Sequence, residues 1–166
     1  MTIEDVSKLV MEKNPRNLKD IKALGIKVRP LGSGAYRYVY KVSRLPLVLK
    51  IPIDHPSSRK HSEEEIKVIN SIKRLKKYRK LRKYLPTIYF YNPTTRIIGM
   101  EYYDTKSNPT KNAIADLLCE FIGELCPELE SVSIDLHRSN IAFDSAGQIK
   151  IIDLGYFTER GRGWCS

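Results

Sequence analysis

The chain is poor in the features that would place it in several common classes. Its 166 residues include only three cysteines, Cys119, Cys126 and Cys165. Their spacing matches no zinc-ligand pattern and the count is odd, so neither a disulfide framework nor a structural metal knuckle is expected. No apolar run approaches the roughly 18 residues a membrane span needs. Met1-Thr2-Ile3-Glu4-Asp5 lacks a basic stretch followed by an apolar one, so a cleavable secretory leader is not expected either. Cys119 and Cys126 fall in a predicted helix and are expected to be buried free thiols, which suits a cytoplasmic protein. There are no internal repeats and no low-complexity linker.

Anions are missing from one stretch altogether. Residues 73–83 carry eight cations and no acid: Lys73, Arg74, Lys76, Lys77, Arg79, Lys80, Arg82 and Lys83. Taking those eight from the net charge of +10 leaves +2 for the rest of the chain. The protein therefore reads as a near-neutral domain with one basic patch, not as a uniformly basic nucleic-acid binder. Only Tyr78 lies inside the patch and Tyr84 beside it, too few aromatics to support base stacking.

What is present has a clear order. Thr2 and Asp5 form a capping-box pattern ahead of Ile3, Val6, Leu9 and Val10, predicting a helix that Asn14-Pro15 ends. A second short helix is expected from Asn17 to Leu24, stopping at Gly25. From Ile26 the pattern turns to strands: Lys27–Leu31, Tyr36–Val42 and Leu47–Ile51. Ser62 is the expected cap of a long helix through Glu65, Ile66, Ile69, Ile72 and Leu75 that ends before Pro86. Strands at Thr87–Tyr91 and Arg96–Tyr102 follow, then an amphipathic helix from Asn108. Ile141–Phe143 and Ile149–Ile152 flank Asp144-Ser145-Ala146-Gly147, a hairpin turn. The expected class is α+β.

Chemistry concentrates at three places. Leu31-Gly32-Ser33-Gly34-Ala35-Tyr36-Arg37-Tyr38-Val39 is a glycine-containing turn whose backbone can approach phosphates closely. Lys50 ends the apolar strand Val48-Leu49-Lys50. Asp135-Leu136-His137-Arg138-Ser139-Asn140 precedes a hairpin that leads to Asp153-Leu154-Gly155.

In this order these motifs resemble the protein-kinase-like superfamily over residues 26 to about 157. The resemblance implies a five-stranded antiparallel N-lobe with a helix at 26–103 and a strongly truncated C-lobe at 104–166, preceded by a helical extension at 1–25. It implies ATP and Mg²⁺ as cofactors. Gly32, Ser33 and Gly34 would cover the phosphates, with Val39 beside them and Arg37 in place of the third glycine. Lys50 would contact the α and β phosphates, with an acid of the next helix as partner: Glu65 first, then Glu64 and Glu63. Met100 would stand behind the adenine, with backbone groups of Glu101 and Tyr103 at its edge. Asp135 would take the proton of the attacking hydroxyl, and Asn140 and Asp153 would hold metal.

Two departures shape the expected activity. Ser133-Ile134 replace the usual His-Arg, and only eleven residues follow Gly155, so no activation loop is expected. His137 matches the wording of aminoglycoside and choline phosphotransferases, while the short plan is similar to minimal kinases of bacterial effectors and phages. The expected function is transfer of the γ-phosphate of ATP to a protein hydroxyl, Ser or Thr before Tyr. The alternatives are a small-molecule phosphotransferase and a non-catalytic kinase-fold binding protein. The protein substrate could dock an acidic surface on 73–83; no specific nucleic-acid binding and no membrane span are expected.

Overall fold

A computed structural model describes residues 1–105, 129–131, 140–154 and 157–159. Two compact units are present: Met1–Glu63 with Thr87–Tyr102, and Glu64–Pro86 with Tyr103–Ser166.

The first unit opens with α1, Ile3–Lys13. Its capping box forms in both directions: the Asp5 amide donates to Thr2 Oγ1 at 3.2 Å and the Thr2 amide to Asp5 Oδ2 at 2.7 Å. Asn14 ends the helix in the left-handed conformation, φ 48°, ahead of Pro15. Helix α2, Leu18–Ala23, is capped by the Asn17 side chain and followed by Gly25 at φ 76°.

Strands β1 (Val28–Ser33), β2 (Arg37–Val42), β3 (Leu47–Pro52), β4 (Ile88–Tyr91) and β5 (Ile98–Glu101) form one antiparallel sheet in the order β1-β2-β3-β5-β4. Side chains alternate between its faces. One face takes Val42, Leu47, Leu49, Ile51, Phe90 and Ile97 into a core shared with Val6 and Val10 of α1 and Ile21 of α2. Gly99 is required on this face, because a Cβ there would run into the Phe90 ring.

Asn92 ties α1 to the β4–β5 connection. It is 1% exposed, and its amide group uses both donors and both acceptor directions. Nδ2 donates to Val10 O at 2.7 Å and Asn14 Oδ1 at 3.0 Å, and Oδ1 accepts from the Thr94 and Thr95 amides at 2.8 and 3.0 Å.

Helix α3 runs Pro56–Arg74, starting six residues before the expected Ser62 cap. The start is set by Pro56, whose missing N–H costs nothing in a first turn, and by the His55 carbonyl, which accepts from the Ser58 and Arg59 amides. Ser62 is fully buried, and among the described residues its hydroxyl has no hydrogen-bond partner.

The long helix expected to continue toward Pro86 does not do so. After Leu75 the backbone tightens into a 3₁₀ helix, Lys76–Tyr84. Arg82 reaches back to the end of α3, its Nε donating to Ile72 O at 3.1 Å and its Nη2 to Leu75 O at 3.4 Å. Ile72 lies in the last turn of α3, where carbonyls run out of helical donors, whereas the Leu75 carbonyl also accepts from the Tyr78 amide at 3.2 Å.

In the second unit, β7 (Ile141–Phe143) and β8 (Ile149–Ile151) form the expected hairpin. Asp144 Oδ1 accepts from the Ala146 and Gln148 amides, and Gly147 takes φ 79°. Phe143 also bridges to Asp104. A further antiparallel pair not expected from the sequence joins β6 (Leu129–Ser131) and β9 (Phe157–Glu159). The helix expected from Asn108 and the three cysteines lie outside the described residues.

Among the described residues no helix is long and apolar enough to cross a membrane.

Candidate functional site

In the first unit, strand register places several predicted residues together. Gly32 pairs with Val39, Val39 with Lys50, and Lys50 with Ile98, one continuous row across β1, β2, β3 and β5. The next row on the same face pairs Lys41 with Val48 and Val48 with Met100. Val39, Lys50 and Met100 therefore share one face, opposite the face that packs on α1 and α2. Lys50 and Met100 are each 3% exposed. An ammonium this deep is costly unless its charge is matched.

Gly32 and Gly34 lie where β1 turns into β2, and the Gly34 amide donates to Arg37 O at 3.0 Å. Neither glycine has a positive φ, and among the described residues, chain neighbours aside, no atom lies within 4 Å of a Cβ built at either. An ordinary tight hairpin would use glycine for left-handed backbone. This one does not, so neither local conformation nor packing explains the choice of glycine. Close approach of the backbone to a ligand would explain it.

Arg37 contributes more than the sequence suggested. Read only as a substitute for a third glycine, it is 4% exposed, with Nη2 3.3 Å from His61 Nε2. Arginine has only donors, so the imidazole nitrogen accepts. Tyr36 stacks on the same imidazole, with ring centroids 4.7 Å apart. The end of the glycine turn is thus fastened to the first half of α3. Two adjacent residues, one aromatic and one cationic, at a strand start were the available signal, and only the tertiary position of His61 gives it meaning.

Glu101 is half-buried. Its amide is committed to Thr87 O at 2.9 Å, as that of Tyr102 is to Pro46 O at 2.9 Å. Tyr103, in the second unit, is 5% exposed. The three neighbouring acids of α3 have different surroundings. Glu63 pairs with Arg96 at 3.3 Å near the surface, Glu64 is half-buried, and Glu65 is fully buried.

In the second unit Glu65 Oε1 accepts from the Leu154 amide at 3.4 Å, holding the residue after Asp153 against α3. Leu154 is itself buried. The β7–β8 hairpin brings its two flanks together: Ile151 pairs with Ile141, and the Ile152 amide donates to Asn140 O at 2.8 Å. Asn140 and Asp153, both half-buried, therefore leave the same end of one hairpin. Both offer the oxygen ligands that Mg²⁺ prefers. Among the described residues no group of three or more His, Cys, Asp or Glu converges on a metal position. Asp135, His137 and Gly155 lie outside the described residues.

No protein-family model matches this chain, and no curated protein matches it.

Proposed function

We propose that this protein is an ATP- and Mg²⁺-dependent phosphotransferase acting on a protein hydroxyl, Ser or Thr in preference to Tyr. The observation that carries the reading is the cross-sheet row Gly32–Val39–Lys50, which sets a buried lysine on the same sheet face as Met100 and in line with a glycine that neither its φ nor a described neighbour requires. The hairpin that ends in Asn140 and Asp153 supports it from the second unit.

When bound, ATP supplies the phosphoryl group and Mg²⁺ the counter-charge for its phosphates. The residues present suit both. Gly32, Ser33 and Gly34 offer open backbone, and Lys50 offers a fixed positive charge. Val39 and Met100 offer an apolar surface for a base, and Asn140 and Asp153 offer oxygen ligands. Asp135 would orient the acceptor hydroxyl and take its proton. Glu65 keeps the chain after Asp153 in place through Leu154. Most of the rate would come from positioning and charge neutralisation.

The test is label transfer from γ-labelled ATP with Mg²⁺ in cell lysate, comparing wild type with Lys50→Met and Asp153→Ala, each checked for folding by thermal melt. A labelled protein band that both substitutions remove is the expected result. Label on small alcohols alone would replace the protein acceptor with a small molecule. Absence of any transfer while nucleotide still binds would overturn the catalytic reading in favour of a binding protein.

A further inference from the structure

Lys76-Lys77-Tyr78, Arg79-Lys80-Leu81 and Arg82-Lys83-Tyr84 repeat one unit three times: cation, cation, apolar. In an α-helix a three-residue repeat drifts around the axis, and the cations would spread over the whole surface. The 3₁₀ helix has three residues per turn, so positions three apart eclipse. Tyr78, Leu81 and Tyr84 accordingly form one buried ridge, at 0%, 4% and 9% exposure. All six cations are exposed, on the other two ridges, although the Arg82 guanidinium is also held by Ile72 O and Leu75 O. Lys150 of β8 adds another at one end, its Nζ donating to Lys83 O at 3.0 Å. Exposed Lys73 and Arg74 precede the other end.

With a rise of about 2 Å per residue, cations on each ridge recur roughly every 6 Å along a rod about 18 Å long. Acidic side chains at alternate positions of an extended chain recur about every 6.6–6.8 Å. On successive turns of an α-helix they recur about every 5.4 Å. Either spacing keeps step with the ridges over three repeats, within the reach of flexible lysine and arginine side chains.

We propose that this double ridge is a docking surface for an acidic segment of a partner protein. A single-stranded nucleic acid would want exposed aromatic faces, and both tyrosines of the repeat are turned inward. An anionic membrane would want apolar side chains to insert beside the cations, and here the apolar ridge is the buried one. The near-neutral charge of the rest of the chain confines the attraction to one narrow strip, which suits a single segment. As the place where a substrate is held, the ridge rests on the kinase reading. As a peptide-binding surface it rests on the geometry alone.

The experiment measures fluorescence anisotropy of a labelled peptide of alternating Glu and Ser against the full chain, without ATP, at low and physiological salt. The variants are Lys76→Glu/Arg79→Glu/Lys80→Glu and, should charge reversal impair folding, the same three positions changed to Gln. The expected result is saturable, salt-sensitive binding that the substitutions weaken by about tenfold or more. Asp153→Ala should bind the peptide as wild type does, which separates failure of the ridge from failure of the catalytic reading. Binding unchanged by the ridge substitutions would overturn the proposal. So would tighter binding to a short RNA duplex or to phosphatidylserine vesicles at the same salt.

Discussion

Substituting both Gly32 and Gly34 by alanine separates what the fold needs from what a ligand needs. Neither glycine has a positive φ and, among the described residues and chain neighbours aside, neither has an atom within 4 Å of an added Cβ, so both methyl groups should be accepted by the fold. The unfolded chain loses freedom at both positions, a gain of about 0.4–1 kcal/mol for each when the native backbone is unstrained. The pair should then stabilise by about 1–2 kcal/mol, and at about 2–4 °C per kcal/mol for a chain this long the melting temperature should rise by about 2–8 °C. If the turn lies over phosphates, the same two methyl groups occupy the space of the ligand. Affinity for a fluorescent ATP analogue with Mg²⁺ should fall by roughly tenfold or more, equivalent to about 1.4 kcal/mol. The two readouts move in opposite directions. A lowered melting temperature would show that the fold itself needs these glycines. A raised melting temperature with unchanged nucleotide affinity would remove the turn from the site.

Two further perturbations test the frame around it. Asn92→Asp replaces two donors with acceptors facing Val10 O and Asn14 Oδ1, and should cost about 2–4 kcal/mol, lowering the melting temperature by about 5–15 °C; an unchanged melt would mean that α1 is held by its apolar contacts alone. Asp5 is held below the ordinary carboxylate value of 3.8, chiefly by the Thr2 backbone amide. A lowered folded-state pKa stabilises above the unfolded value and is lost as pH falls through the folded one, so the difference in melting temperature between wild type and Asp5→Asn should close on acidification below about pH 4. A difference that stayed constant to lower pH would assign the effect to something other than the carboxylate charge.

Local chemistry made much of this chain legible from sequence. The Thr2–Asp5 box, the Asn14-Pro15 stop, the five strands of the sheet and the Asp144–Gly147 turn follow from side chains acting on backbone within a few residues. What escaped depends on distance or on period. Pro56 competed with Ser62 as the helix start, and Ser62 went into the interior instead. The segment after Leu75 continues the cationic helix in composition, but its apolar residues recur every third position, the period of a 3₁₀ helix. The β6–β9 pair joins three-residue strands far apart in the chain, too short to show alternation. The grouping of Val39, Lys50 and Met100 follows from register, which single strands do not reveal. The link from Glu65 to Leu154 spans 89 positions in sequence, beyond any local pattern.

The alternation along β3 has a consequence for how such a protein can change. Leu47, Leu49 and Ile51 answer to the core, while Val48 and Lys50 answer to whatever occupies the opposite face. Two selective pressures are thus interleaved residue by residue on one strand. Val48 and Lys50 are buried too, at 2% and 3% exposure, so only volume-conserving changes at even positions spare the domain, while changes at odd positions erode the core and leave every candidate site residue in place. The candidate site and the core on α1 and α2 can therefore diverge through changes at different positions of a single strand.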